Sequence, residues 1–505
     1  MKKIFFSFLL SYSVFSFAQD TFEIKAFHID NRIQVMPMEE LMNLADYLHQ
    51  SGMNTIIMEY EGSFPYRTNG IISNRYAYTR EEVKAFVQHC ATKNVDVIPL
   101  QQCLGHLEYI LQFDRYAYLR EDKYDVSQLC PLKRAEAHDF YAGLIDEVIA
   151  LHSSEYIHIG GDEAFLLGHC DECNLFAREH GKSQLYVDYI SMITNLIIEK
   201  GKIPVLWADI VMKHPEAIDQ LPEECILVNW NYGWDLSRFG DHDNLINSGL
   251  KIWGAAALRS SPDNFFHTSW KTHFKNLEDF IPAMRKYQYD GIVMTSWSTS
   301  GRYTYRREPR GNIIEMFPIR HVYPLSGFKM MIDAYASAIE SKNFNAHDFV
   351  TDYALTNFGF SKSDAEKFYD GLDARVETIK GYKTSANREL SELYEDTKAF
   401  SDFLDKVKVT DNQQEFEHYR LMYDIREHYI KSKMVQREIE KMEFSKENVS
   451  VYIKKLEDLK QEEAMLDIRF TSIHQNNLHP GSIEEENFYR SREIDILFDK
   501  LNRKK

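Results

Sequence analysis

The sequence predicts a (β/α)8 TIM barrel over residues 22–335, followed by an all-helical C-terminal domain over residues 340–505. Three observations predict it. Between residue 22 and about residue 300, eight short apolar runs alternate with stretches of helical periodicity, as a closed parallel barrel requires. No G-x-G-x-x-G follows the first run, which weakens a doubly wound open sheet as the alternative. From 382 to 479 there is no glycine and no proline, and helical spacing alone remains.

The eight expected strands cover 23–29, 54–59, 95–100, 156–160, 203–207, 226–231, 251–256 and 291–296. Helical patterns fall between them at 38–50, 80–93, 134–152, 184–200 and 276–286. In the third of these, Phe140, Leu144, Val148 and Leu151 recur at helical spacing. Further on, Tyr419, Met422, Ile425 and Tyr429 make one apolar stripe, and Tyr452, Leu456, Leu459, Leu466 and Phe470 another. Such stripes need a partner, so the region reads as a bundle of long helices packed on or beside the barrel, with a structural or homo-oligomeric role.

With 505 residues and 44% hydrophobic content, the chain is long enough for a barrel plus a second domain. A net charge of −18 argues against nucleic acid and anionic membrane as partners. Residues 1–18 read as a signal peptide: Lys2 and Lys3 precede an apolar stretch, and Ser16-Phe17-Ala18 places cleavage before Gln19. The mature protein is therefore expected to be exported, periplasmic or secreted. No cysteine lies near the cleavage point, and no later apolar run approaches a membrane span. The six cysteines are too sparse for a disulfide scaffold. Cys170 and Cys173 form the one C-x-x-C; without a second such pair, a loop staple or plain thiols are favoured over a metal.

In such barrels the chemistry sits at the carboxyl ends of the strands. The fourth run, Tyr156-Ile157-His158-Ile159-Gly160-Gly161-Asp162-Glu163, ends in two glycines and two adjacent carboxylates. The glycines allow a turn or a close approach. Two carboxylates forced together can have their pKa values pushed apart, so that one is an acid while the other stays ionised. The plain alternative is a helix N-terminus with acidic residues complementing its dipole. The stretch His158-Ile159-Gly160-Gly161-Asp162-Glu163 resembles the signature of glycoside hydrolase family 20, the β-N-acetylhexosaminidases.

The other strand ends give a polar and aromatic set. Asp30 and Arg32 follow the first strand and suit sugar hydroxyls, or an ordinary turn salt bridge. Glu59-Tyr60-Glu61, with Phe64-Pro65-Tyr66 after it, resembles a segment of the hexosaminidase D-like subgroup; the resemblance implies substrate-binding roles for Glu59 and Glu61. The Gly105-His106 pair is similar to the family's histidine after strand three, and would orient a carboxylate or bind a hydroxyl. Trp207-Ala208-Asp209 resembles the family's Trp-x-Asp. Four of the six tryptophans lie at or just after a strand end, and Trp207, Trp230 and Trp297 are the expected pocket walls. Family members hold the substrate's acetamido carbonyl with a tyrosine, usually from a strand later than the sixth. Here Tyr232 is the first candidate for that role and Tyr303 the second. Only three residues separate the expected cleavage site from strand one, so the small α/β domain that often precedes the barrel in this family is expected to be missing.

The resemblance implies an exo-acting enzyme that removes terminal β-linked N-acetylglucosamine or N-acetylgalactosamine from a glycan. Catalysis would fall to Asp162, Glu163 and Tyr232, with no metal and no cofactor. Two alternatives remain at this point. One is a conventional glycosidase pairing Glu163 with Glu59 or Glu61. The other is a non-catalytic, secreted glycan-binding barrel.

Overall fold

The computed structural model describes residues 22–260, 263, 268–298, 322–374, 377–380 and 382–504. The expected signal peptide and Tyr303 lie outside these residues. Eight parallel strands close into a barrel in sequence order: β1 Ile24–Asp30, β2 Thr55–Glu59, β3 Asp96–Leu100, β4 Tyr156–His158, β5 Ile203–Trp207, β6 Ile226–Trp230, β7 Lys251–Arg259 and β8 Gly291–Ser296. Closure runs through β1 and β8, with Ala26 opposite Val293 and Phe27 opposite Met294.

The strands are buried on both faces, which is why they read as near-continuous apolar runs. Ile57 points into a barrel interior that it shares with Ala26, Ile98, Val205, Val228, Ala255 and Val293. Its neighbours Ile56 and Met58 belong instead to the layer beneath the outer helices. Those helices begin where the sequence offers caps. At Arg80–Ala91, Thr79 and Glu82 form a reciprocal capping box.

Two strands end two or more residues from where the sequence reading placed them, and each has a physical cause. β4 stops at His158 rather than at Gly160, because Gly160 (φ +67°) and Gly161 (φ +86°) turn left-handed there. β7 runs on through Arg259 rather than ending at Ala256. Ala257 still pairs with Thr295, and Arg259 pairs with Ser296 across a bulge. The Arg259 guanidinium is buried, donating to Gln34 Oε1 at 2.7 Å and to the Tyr323 carbonyl at 2.8 Å.

After β8 the chain is helical. Lys329–Glu340 packs on the barrel, where the Tyr335 hydroxyl donates to the Ala26 carbonyl at 3.1 Å. The long helices Gln413–Lys441, Lys446–His474 and Pro480–Asn502 follow. Phe416, Tyr419, Leu421 and Phe470 share one apolar core with the barrel's outer helices. The Trp270 ring, on helix Trp270–Lys286, lies 5.7 Å from that of Tyr419. Among the described residues, no helix is long and apolar enough to cross a membrane.

Candidate active site

The turn after β4 is built by what it must avoid. A Cβ on Gly160 would meet the Gln102 side-chain oxygen at 1.8 Å, and one on Gly105 would meet the Asp162 carbonyl at 2.5 Å. The Gly160 carbonyl still accepts from the Trp207 N–H at 3.0 Å, so the turn stays tied to β5. Glu163 (φ +48°), His106 (φ +56°) and Glu61 (φ +45°) all take left-handed backbone at the barrel's carboxyl face. Three non-glycine residues in that region at one end of the molecule mark a site where strain is held by its surroundings.

This turn brings Asp162 and Glu163 to the loop that follows β3. His106 Nε2 lies 3.2 Å from Asp162 Oδ2 and 3.5 Å from Glu163 Oε2. The side chain of Asp162 is 9% exposed and that of Glu163 29%. Burial alone would raise the Asp162 carboxyl, but the charge and hydrogen bond of His106 hold it below the usual value. Its Oδ1 is buried without a hydrogen-bond partner among the described residues. Asp162 thus offers one free, ionised oxygen, and Glu163 sits beside it in reach of solvent. The Glu163 N–H donates to Asp209 Oδ2 at 3.3 Å, and Lys213 Nζ reaches the same oxygen at 3.2 Å. Burial lifts the Asp209 carboxyl to about 6.

A second polar group lies at the ends of β1 and β2. Arg32 clasps both oxygens of Asp30 through Nε and Nη2, at 2.8–3.0 Å, and the Ser298 N–H adds a further bond at 2.8 Å. Despite its burial, Asp30 is held at about 2 by this partner. Arg32 Nη1 is buried with no hydrogen-bond partner among the described residues. Glu59 has both oxygens engaged, by His28 Nε2 at 2.9 Å and by Gln102 Nε2 at 3.0 Å. Glu61 is buried with neither oxygen hydrogen-bonded among the described residues, and Arg32 Nε lies 4.0 Å away. Burial outweighs that attraction and pushes its carboxyl well above the usual range.

Aromatic side chains join the two groups. The Arg32 guanidinium stands 5.1 Å from the Trp297 ring centre. The Trp297 indole N–H donates to the Tyr232 hydroxyl at 2.8 Å. Trp297 also lies 5.8 Å from Trp207, which is 1% exposed and so forms a floor rather than an open wall. Trp230 stacks obliquely on Tyr232 at 5.2 Å and on Phe239 at 4.4 Å, and its N–H points to Asp209 Oδ1 at 3.5 Å.

The residues named from the sequence, Arg32, Glu59, Glu61, His106, Asp162, Glu163, Trp207, Asp209, Trp230, Tyr232 and Trp297, are linked through these contacts at one end of the barrel. Three supporting side chains were given no role from the sequence, although His158 opens the signature stretch: His28, Gln102 and His158. His158 accepts from the Gly160 N–H at Nδ1, 3.0 Å, and burial lowers it to about 3. It is a neutral wedge 4.4 Å from the Trp207 ring. All three lie on or beside strand ends, but the side-chain contacts that give each its role come from residues distant in sequence or from the local turn, which residue type alone does not announce.

The family description "Glycosyl hydrolase family 20, catalytic domain" matches residues 32–300, more than half of the chain. Hexosaminidase D of Bos taurus is 29% identical over 266 residues, spanning 49% of this chain and 76% of that one. Hexosaminidase D of Homo sapiens is 25% identical over 301 residues, spanning 56% of this chain and 62% of that one. This chain thus aligns with less than two thirds of the human relative. Among solved structures, a β-N-acetylhexosaminidase from Bacteroides fragilis NCTC 9343 aligns over 57% of this chain and 64% of its own, at 18% identity and a TM-score of 0.44. The match over residues 32–300 shows that this chain belongs to glycosyl hydrolase family 20.

Proposed function

We propose that the protein is an exo-acting β-N-acetylhexosaminidase that hydrolyses terminal β-linked N-acetylglucosamine or N-acetylgalactosamine with participation of the substrate's own acetamido group. One observation carries the reading: Asp162 keeps a buried, unpartnered Oδ1 while His106 holds its other oxygen at 3.2 Å. A fixed, ionised acceptor suits an acetamido N–H and the positive charge that develops as the acetamido oxygen closes on the anomeric carbon. Sequence neighbours cannot take opposite faces of one sugar ring, so Glu163 is left to protonate the glycosidic oxygen. The substrate carbonyl then supplies the nucleophile, the known exception to two-carboxylate hydrolysis.

Tyr232 suits the acetamido clamp. An indole N–H can only donate, so the phenol oxygen accepts from Trp297 and retains its own proton to give. Arg32 Nη1 suits a ring hydroxyl, since Nε and Nη2 already bond Asp30. The conventional alternative is disfavoured by its would-be nucleophiles. Glu59 is fully buried with both oxygens bound, and burial pushes the Glu61 carboxyl well above the usual range. A barrel that only binds glycan gives no reason to hold Glu163 on left-handed backbone beside a second carboxylate.

The test is turnover of 4-nitrophenyl N-acetyl-β-glucosaminide and its galacto epimer by the purified chain and by Glu163→Gln. The reading expects hydrolysis by the wild type, and the heaviest loss in the variant on substrates with poor leaving groups. No turnover of either substrate by the wild type would remove it.

A further inference from the structure

The loops after β3 and β4 meet at a cluster of thiols. Cys130 Sγ lies 3.4 Å from Cys173 Sγ and 3.9 Å from Cys170 Sγ. These three sulfurs and one carboxylate oxygen of Glu121 all lie within 4.8 Å of one another. Glu121 is 3% exposed. Its Oε1 accepts from the N–H groups of His169 at 2.7 Å and Cys170 at 2.9 Å. Its Oε2 is buried with no hydrogen-bond partner among the described residues. Seen from the sequence, Cys170 and Cys173 lacked partners; the fold supplies them from the β3 loop.

We propose that Glu121, Cys130, Cys170 and Cys173 bind a structural zinc ion that staples the β4 loop to the β3 loop. Four ligands at one point make a closed tetrahedral site, and thiolates select zinc over calcium or magnesium. Sulfurs about 2.3 Å from a tetrahedral zinc stand about 3.8 Å from each other. The two separations from Cys130, 3.4 and 3.9 Å, bracket that value. A disulfide satisfies the cluster less well. It would join two sulfurs at about 2.05 Å, and would leave the third thiol and the buried Glu121 oxygen unmatched. A cation satisfies all four.

Cys170 caps the ten-residue helix Asp171–His180, and its sulfur accepts the Cys173 N–H at 3.3 Å. On binding, the three thiol protons pass to solvent and the ion meets three thiolates and one carboxylate, with no change of oxidation state. The stapled loops are those that carry His106 and the Asp162-Glu163 pair. They are already laced together, with the Leu166 N–H on Gln128 Oε1 at 2.8 Å and the His169 N–H on Glu121 Oε1 at 2.7 Å. The ion would complete that lacing and fix how the histidine faces the aspartate.

The experiment measures metal in the full-length chain, untagged and purified without chelator, by inductively coupled plasma mass spectrometry. About one zinc per chain is expected, with almost none in Cys130→Ser and Cys173→Ser, and wild-type content in the controls Cys90→Ser and Cys225→Ser. Cobalt exchanged into the wild type should show sulfur-to-cobalt charge-transfer absorption, a readout that survives if the cysteine variants fail to fold. A wild type that is metal-free and takes up no zinc on titration would overturn the proposal. So would an intact mass lacking the two hydrogens of a disulfide among these cysteines. Metal content is read without reference to turnover, so this result and the activity assay succeed or fail separately.

Discussion

The imidazole Nε2 of His106 lies 3.2 Å from Oδ2 of Asp162, and both side chains are buried. Burial alone would lower His106, but the charge and hydrogen bond of Asp162 lift it from the usual 6.5 to about 9. Asp162 is correspondingly held below its usual 3.8. The signs differ. A raised histidine contributes stability that is complete below 6.5 and lost as pH climbs through about 9. A lowered aspartate contributes stability that is present above 3.8 and lost as pH falls through its folded value. The wild type should therefore lose stability between pH 6.5 and about 9 more steeply than His106→Gln. Urea midpoints across that range check it. Parallel slopes for the two proteins would mean that the pair is not ionised as described.

Gly160→Ala should damage the site through the backbone alone. The new methyl would stand 1.8 Å from the Gln102 oxygen, at a φ of +67° that alanine resists. Both effects act on the turn that presents Asp162. The expected cost is about 1–3 kcal/mol of stability, read from denaturant unfolding, with turnover falling further than stability does. Gly181→Ala is the comparison for strain without a clash, since nothing lies within 4 Å of its Cβ position.

Arg32→Ala should be severe. It leaves the Asp30 carboxylate buried with its guanidinium partner gone, held among the described residues by the backbone N–H groups of residue 32 and Ser298, each at 2.8 Å. Removing one partner of a buried ion pair costs about 3–5 kcal/mol. Thermal unfolding of the two proteins measures it, and a loss under about 1 kcal/mol would show the pair to be solvated.

Deleting residues 345–505 should give an unfolded or insoluble barrel. The Trp270 ring packs on Tyr419, and the Tyr323 hydroxyl bonds His418 and His474, so the cut would expose core shared by both regions. Solubility and far-UV circular dichroism of the truncated chain decide the matter. A soluble, active truncation would show the helices to be an independent module.

The fold was legible because a strand buried on both faces leaves a plain mark: short apolar runs such as Thr55–Glu59, followed by polar ends. The limits came out wrong where a residue behaved against its type. Arg259 continues β7 because Gln34 and the Tyr323 carbonyl bond its guanidinium, partners 225 and 64 residues away. In the site, Asp162 and Glu163 stood out as neighbours at a glycine turn. His28 did not, because its role depends on Glu59, 31 residues away. The Cys130 contacts were hidden for the same reason: they join segments 40 and 43 residues apart. Sequence periodicity reports which face is buried; it carries no record of which distant side chain waits there.

The central claim is that the substrate's acetamido group is the nucleophile and that Asp162 steers it. The most direct measurement compares kcat/KM for 4-nitrophenyl β-glycosides that differ only at the 2-position, acetamido against hydroxyl, in the wild type and in Asp162→Asn. The account predicts that the wild type turns over the acetamido substrate and has almost no activity on the hydroxyl one. It predicts that Asp162→Asn, folded as the wild type, loses about 10²–10³-fold on the acetamido substrate. Equal hydrolysis of the two substrates by the wild type, or a covalent glycosyl-enzyme trapped on Glu59 or Glu61, would contradict it.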